Sequence, residues 1–284
     1  MAKDKNFQKE QISQFCSFLI SEEKAAATVS KYCHDIQQFY CFLSEKYNSR
    51  LTKENTVSFK NWLLERYHVR SVNSMLTAVN CFLNFLGYQD CRVKLVKVQR
   101  QIFYEDKKEL RKEEYRRLVD AARKNGNERL AMLLQTLCSL GLRISELKFV
   151  TVESVEKGKF QILNKGKNRF VLIPGKLRKR LLWYARKMHL KKGEIFITRS
   201  GKALDRSNVW REMKKLGGKA KVEGQKIFPH NLRHLFARTF YELKKDVVKL
   251  ADLMGHSSIE TTRIYTASSG NECLKQLEKL GLVL

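Results

Sequence analysis

The sequence predicts a mainly α-helical chain with one small β-hairpin, and three observations carry that reading. Only two prolines, Pro174 and Pro229, interrupt its 284 residues, so little stands in the way of helix propagation. Apolar residues recur at three- and four-residue spacing along much of the chain, the period of one buried helix face. A single stretch, KFQILNKGKNRFVLIP at 159–174, alternates instead and turns near Asn164–Asn168, as a β-hairpin does. The length is generous for one domain and comfortable for two.

Taken in order, residues 1–88 read as a four-helix domain. Phe7, Ile12, Phe15, Phe18 and Leu19 mark a first helix over 7–20. Thr28 is the expected N-cap of a second, whose face is Val29, Tyr32, Cys33, Ile36, Phe39, Tyr40 and Leu43. A third spans about 53–67 and includes Trp62, Leu63 and Leu64. Ser71 is the expected cap of a fourth, with Met75, Leu76, Val79, Phe82, Leu83 and Leu86 on its apolar face and Gly87 as its stop. The opposite face carries Asn73, Thr77, Asn80 and Asn84 in one stripe. Uncharged amides and hydroxyls can read base edges in a major groove, and a solvated helix face fits the stripe as well.

Residues 89–108 lack a helical period and are rich in basic side chains, so they read as a basic interdomain linker. The second domain, 109–284, opens with helices near 111–124 and 127–140, the latter ended by Gly141. The hairpin follows, and helices resume from about 176 to the C-terminus. Leu274, Leu277, Leu280, Leu282 and Leu284 place an apolar stripe on the tail, suited to its own domain or to a neighbouring copy.

Composition narrows the partner. Fifty-six Lys and Arg against 29 Asp and Glu leave a net charge of +27, which points to a polyanion, nucleic acid being the usual one. Residues 1–100 carry 15 basic and 9 acidic side chains, and the remainder 41 and 20, so most phosphate contacts are expected from the second domain. No apolar run approaches the roughly 18 residues of a membrane span. The N-terminus MAKDKNFQKEQ has no apolar signal core, and a cytoplasmic, nucleoid-associated protein is expected. Seven cysteines without a C-x-x-C pair argue against a zinc site and against a disulfide framework, and reduced thiols are expected.

Four segments of the second domain hold the candidate chemistry. LCSLGLRISELKFV contains Arg143, and the hairpin turn NKGKNR contains Lys165, Lys167 and Arg169. PHNLRH sets His230 and Arg233 three residues apart, on one helical face. LMGHSSIETTRIYT sets His256 nine residues before Tyr265. Each alone is weak; together they supply what phosphodiester cleavage needs. Two arginines can clamp a phosphate with bidentate bonds, a histidine or lysine can move protons, and a tyrosine can become the covalent nucleophile. The sequence shows no D-x-D, no H-E-x-x-H, no P-loop and no compact carboxylate cluster for magnesium, so no metal or cofactor is expected.

In this combination and order, G-L-R-x-S-E-L, H-x-L-R-H and L-x-G-H followed nine residues later by tyrosine, the chain resembles the tyrosine recombinases (phage integrase and Xer-type enzymes). The resemblance covers nearly all of 109–284, and the helical first domain is similar to the family's core-binding domain. It implies that Arg143 and Arg233 grip the scissile phosphate and that Lys165 protonates the leaving 5′-oxygen. His230 is then the acid–base partner of the tyrosine, His256 bonds the phosphate, and Tyr265 attacks it to form a 3′-phosphotyrosyl link. Glu146 orients neighbours, and Asn73, Thr77, Asn80, Asn84, Lys167 and Arg169 contact DNA. Where the family's hairpin often reads G-K-G-x-K, this one reads N-K-G-K-N, which leaves Lys167 a rival to Lys165.

The implied partners are double-stranded DNA with inverted-repeat core sites and three further copies of the chain. The tetramer exchanges strands through a Holliday junction, each protomer clamping its duplex between the two domains. With no additional N-terminal arm-binding domain, the chain is most like a simple Xer-type enzyme or the transposon-encoded recombinases that resolve cointegrates. Two other classes remain open on sequence grounds: a non-catalytic architectural DNA-binding protein, and a type IB topoisomerase or telomere resolvase using the same phosphotyrosine chemistry.

Overall fold

The computed structural model describes residues 6–98, 108–164, 167–198, 200–256, 258–265, 274 and 278–280, with the backbone alone at Asn164 and Lys167. It divides into two compact units, 1–100 and 101–284. Among the described residues no helix is long and apolar enough to cross a membrane.

The first unit holds α1 (Glu10–Ser21), α2 (Ala26–Tyr47), α3 (Lys53–Arg66) and α4 (Val69–Phe85). Its core is unusually aromatic. Phe7 meets Phe39 and Phe82 at ring-centroid distances of 5.9 and 4.7 Å, and Phe59 packs on Phe39 at 4.8 Å, within the range where tilted ring pairs add to burial. Thr52 caps α3 by accepting from the Asn55 amide.

Three expectations are corrected here. Thr28 lies inside α2, which starts three residues earlier after Ala25 because Ala26 and Ala27 are strong helix formers. Ser71 lies inside α4, which starts after His68 and so brings Val72 into the core. Cys16 of α1 and Cys33 of α2 are joined by a disulfide, not left as thiols, because the two positions face each other across the α1–α2 pair. Cys41, Cys81 and Cys138 are free thiols.

The polar stripe of α4 divides into two kinds of side chain. Asn73 exchanges two hydrogen bonds with the backbone of Val96, at 2.9 and 2.8 Å. Asn80 does the same with Val93, at 2.8 and 3.0 Å. Both amides thereby act as a substitute ladder that fastens the stretch 92–98 along the helix, each committing one N–H and one oxygen lone pair to it. Thr77 donates to the Asn73 carbonyl, and Thr77 and Asn84 remain exposed.

The second unit is built around α6 (Glu128–Leu140), which is buried on nearly every side, as a helix apolar all round must be. Packed around it are α5 (Lys112–Lys124), α8 (Gly175–Lys187), α9 (Arg206–Ala220) and α10 (Pro229–Lys244). Between α6 and α8 lie the short α7 (Val152–Lys157) and the hairpin of β1 (Lys159–Asn164) and β2 (Lys167–Leu172). The strands pair antiparallel from Lys159↔Leu172 to Asn164↔Lys167. Alternation buries Phe160, Ile162 and Val171 and leaves Leu163, Phe170 and Leu172 exposed. The chain then forms α11 (Val247–Met254) and α12 (Ile259–Thr262). Of the leucines read as a tail stripe, Leu274 and Leu280 are exposed; Leu277, Leu282 and Leu284 lie outside the described residues.

Candidate active site

Arg143 is placed by the end of α6. Gly141 stops that helix in the left-handed conformation, φ 59°, where a Cβ would overlap the ring of Phe236 on α10, so only glycine serves. Two residues later Arg143 caps a 3-10 turn over Ile144–Phe149. Glu146, three residues on, reaches back to accept from the Arg143 amide and from its Nη1, each at 2.8 Å. Arg143 keeps 37% of its side chain open to solvent, whereas Glu146 is 2% exposed.

Arg233 comes from α10, whose first residue, Pro229, has no amide hydrogen to satisfy. Its guanidinium, 1% exposed, donates Nη1 to the Gly141 carbonyl and Nη2 to the Met254 carbonyl, the latter at 2.6 Å. Nη2 also meets His256 Nε2 at 3.0 Å, and Nη1 stands 3.9 Å from Glu146. Arg233 thus ties the ends of α6 and α11 together beneath the cleft. Burial and the neighbouring Arg143 pull its pKa down to about 10, which leaves it charged at neutral pH.

The arginine bond fixes the tautomer of His256. A guanidinium can only donate, so Nε2 must accept, and Nδ1 carries the hydrogen given to Thr262 Oγ1 at 2.8 Å. Burial, then Arg233, Arg143 and Arg169, push the His256 pKa down to about 4. His230, an exposed residue, is likewise pushed down to about 4, by desolvation and then by His234, Arg233, Arg143 and Arg206. Both imidazoles are therefore neutral at pH 7. Between pH 6.5 and about 4 the unfolded chain holds protons on them that the folded chain does not, so folding stability falls as pH is lowered through that window. Imidazole titration of the free protein by NMR should give midpoints near 4 for both; midpoints at or above 6 would contradict this account of the site's field.

Tyr265 ends the α12 segment in a 3-10 turn and is 4% exposed. Its ring stacks on His256 at 6.2 Å and meets the edge of His234 at 5.1 Å. Burial raises its pKa above the ordinary phenol value, and Arg233 opposes that rise. The phenol is thus protonated in the free protein and needs a base when it reacts.

Five of the predicted site residues, Arg143, His230, Arg233, His256 and Tyr265, are brought together by this arrangement. An open cleft of about 870 Å³ is lined by two of them, Arg143 and His230, together with Arg206, Trp210, Arg211 and Phe228. Lys165 lies outside the described residues, as does the side chain of Lys167. Arg169, expected among the DNA contacts, is turned inward beside Val171 by strand alternation and binds Glu146 at 2.6 Å.

The sequence reading missed His234 and Glu109. His234 Nδ1 lies 3.5 Å from the Glu109 carboxylate, which also meets Arg238 at 3.4 Å. Burial works to raise the Glu109 carboxyl, but His234 and Arg238 outweigh it and hold it below the ordinary range. The only sequence signal was the second histidine of PHNLRH, four residues after His230 and hence beside it on the helix. Among the described residues no group of three or more His, Cys, Asp and Glu could hold a metal.

Glu146 is the common anion under Arg143, Arg169 and Arg233. Removing one partner of a buried ionic cluster costs about 3–5 kcal/mol because the rest is left unpaired. Glu146→Gln should therefore lower the melting temperature of a unit this size by roughly 6–20 °C, as read by calorimetry. An unchanged melt would show that the three guanidinium groups do not depend on it.

Cationic donors, neutral imidazoles and a phenol gathered beside and beneath one cleft make a site suited to transferring a phosphoryl group to tyrosine. The comparisons agree with that class. The phage integrase family matches residues 108–272, and the phage integrase N-terminal SAM-like domain matches residues 12–89. Tyrosine recombinase XerA of Pyrococcus furiosus is 29% identical over 99% of this chain and 97% of its own. Its counterpart from Thermococcus kodakarensis is 30% identical over 96% of both. The TnP I resolvase of Bacillus thuringiensis is 26% identical over 94% of this chain and 98% of its own. Among solved structures, XerH site-specific recombinase on palindromic difH substrate superposes with a TM-score of 0.72 at 19% identity, covering 97% of this chain and 84% of that one. A lambda integrase dimer on a COC′ core site gives 0.73 at 16% identity, covering 91% and 94%. The chain belongs to the phage integrase family, the tyrosine recombinases.

Proposed function

We propose that this site-specific recombinase cuts and rejoins DNA through a 3′-phosphotyrosyl intermediate at Tyr265. The observation that carries the reading is the gathering of Arg143, His230, Arg233, His256 and Tyr265 at one site from three separate segments, with Arg143 and His230 on the wall of the cleft. A phosphodiester entering the cleft meets Arg143 first, since that guanidinium is the open one. Its negative charge raises the affinity of His230 and His256 for protons, reversing the field that keeps them neutral. His230 then takes the phenol proton, Tyr265 attacks phosphorus, and the 5′-oxygen leaves with a proton from Lys165 or Lys167. The cations stabilise the charge that builds on the non-bridging oxygens. Attack by the 5′-hydroxyl of a partner duplex reverses these steps and restores the backbone, so the ester conserves the bond without ATP. Glu146, the carboxylate nearest the arginine pair, is already saturated by guanidinium groups, which supports a reaction run on side-chain cations alone.

Four copies acting on two duplexes through a Holliday junction is the assembly proposed, on inverted-repeat core sites. A lambda integrase tetramer bound to a Holliday junction has the same fold, with a TM-score of 0.73. Resolution of cointegrates or dimers by a cytoplasmic, nucleoid-associated enzyme is the biological role that the Xer and resolvase relatives support. The test is strand exchange between two labelled duplexes carrying a selected site. Recombinant products together with a Holliday intermediate are expected, whereas relaxation of supercoils without exchange would indicate topoisomerase action. Binding should also weaken about 10³-fold or more between 50 and 200 mM salt; a nearly salt-independent affinity would contradict the phosphate contacts assigned to the basic surface.

A further inference from the structure

The strand that leads out of the lysine-bearing turn also reaches beneath the arginines. Arg169, the third residue of β2, is only 10% exposed. One arm of its guanidinium, Nη2, donates to Glu146 Oε2 at 2.6 Å, and the other, Nη1, donates to the carbonyl of Leu253 in the last turn of α11. The fit is close on the second side. A Cβ at Gly255 would stand 2.6 Å from Arg169 Cδ and 3.1 Å from Nε, and Gly255 itself has φ +62°. The helix end can thus approach the arginine because residue 255 has no side chain, and His256 is the next residue.

Glu146 binds the Arg143 backbone and side chain, so whatever fixes Glu146 fixes Arg143. Leu253 and Gly255 likewise fix the start of the loop that carries His256. We propose that Arg169 is a positioning residue: a single planar fork sets the separation between Arg143 and His256 across the scissile phosphate. It rests on the recombinase reading above, in which the diester meets Arg143 and raises the proton affinity of His256, whose protonated Nε2 then donates to it. Lysine cannot replace it, because one ammonium on a flexible stem does not hold two acceptors at a set spacing.

The experiment measures single-turnover cleavage of a nicked suicide duplex whose scissile phosphate is unmodified, Rp-phosphorothioate or Sp-phosphorothioate. Sulfur is larger than oxygen and a poorer acceptor, so donors held at fixed spacing should make the two diastereomers react at unequal rates. Wild type is expected to discriminate. Arg169→Lys should slow the unmodified substrate about 10–100-fold, the scale of a misplacement near 1 Å, and bring the Rp/Sp ratio toward one, with the Kd for DNA changed less than about threefold since many phosphate contacts share the affinity. A loss of fold or of stability alone slows all three substrates by one factor. An unchanged Rp/Sp ratio, an unchanged rate, or a wild type that does not discriminate overturns the proposal. Should Arg169→Lys fail to fold, Gly255→Ala, which keeps the guanidinium but presses on its stem, is read the same way. A wild type that forms no tyrosyl adduct with any of the three substrates removes the recombinase reading itself, and this inference with it.

Discussion

Arg233→Lys should reduce the single-turnover rate of DNA cleavage by about 10³–10⁵-fold, the span over which a catalytic arginine acts in phosphoryl transfer. The geometry says why a conserved charge is not enough. Arg233 distributes its donors over the Gly141 carbonyl, the Met254 carbonyl and His256 Nε2, and it is 1% exposed. Lysine could satisfy one of these and would leave the others without a donor in a buried setting, each loss costing about 1–3 kcal/mol. His256 would lose the partner that sets its tautomer, and the ends of α6 and α11 would no longer be tied at one point. DNA affinity should hardly change, since this is one cation among 56 Lys and Arg and it lies beneath the cleft floor. The same nicked duplex separates the two quantities, with binding read by gel shift and cleavage by covalent adduct. A rate within tenfold of wild type would show that the buried fork is dispensable, and Arg233 would then be a structural tie only.

Much of this was legible in the sequence, and what was not has identifiable causes. The helices of both units follow from apolar period and glycine stops, because burial of one face is the same physics in sequence and structure. The two misplaced N-caps, Thr28 and Ser71, reflect a choice between local capping and continued helix. Propensity at Ala26 and Ala27, and the burial of Val72, extended the helices past them. The bonds of the α4 amides were not legible because their partner, the aperiodic stretch 92–98, gives no signal of lying along the helix. Pairing of Cys16 with Cys33 depends on how two helices face one another, which spacing alone does not reveal. Arg169 was recoverable: it shares strand parity with Val171, so the alternation that identified the hairpin also assigns it to the inner face.

For the site, residue types and spacing singled out five groups that the fold brings together, because phosphoryl transfer restricts which side chains can serve. They could not reveal the tertiary hub beneath. Glu146 is joined to residues 23 and 87 positions away in Arg169 and Arg233, and Glu109 to His234 across 125. Such pairs are set by how α10 and β2 cross the 3-10 turn.

The central claim is that Tyr265 is the nucleophile and that side chains alone supply the positive charge. A nicked suicide duplex carrying the selected site, incubated in EDTA with wild type or Tyr265→Phe, tests both at once. Phenylalanine keeps the ring against His256 and His234 while removing the hydroxyl, and loss of a covalent nucleophile costs at least about 10⁴-fold. The account predicts a covalent protein–DNA adduct with wild type despite the chelator and none with Tyr265→Phe, at equal DNA binding. An adduct that persists in Tyr265→Phe, or that disappears from wild type when metal is removed, would contradict it.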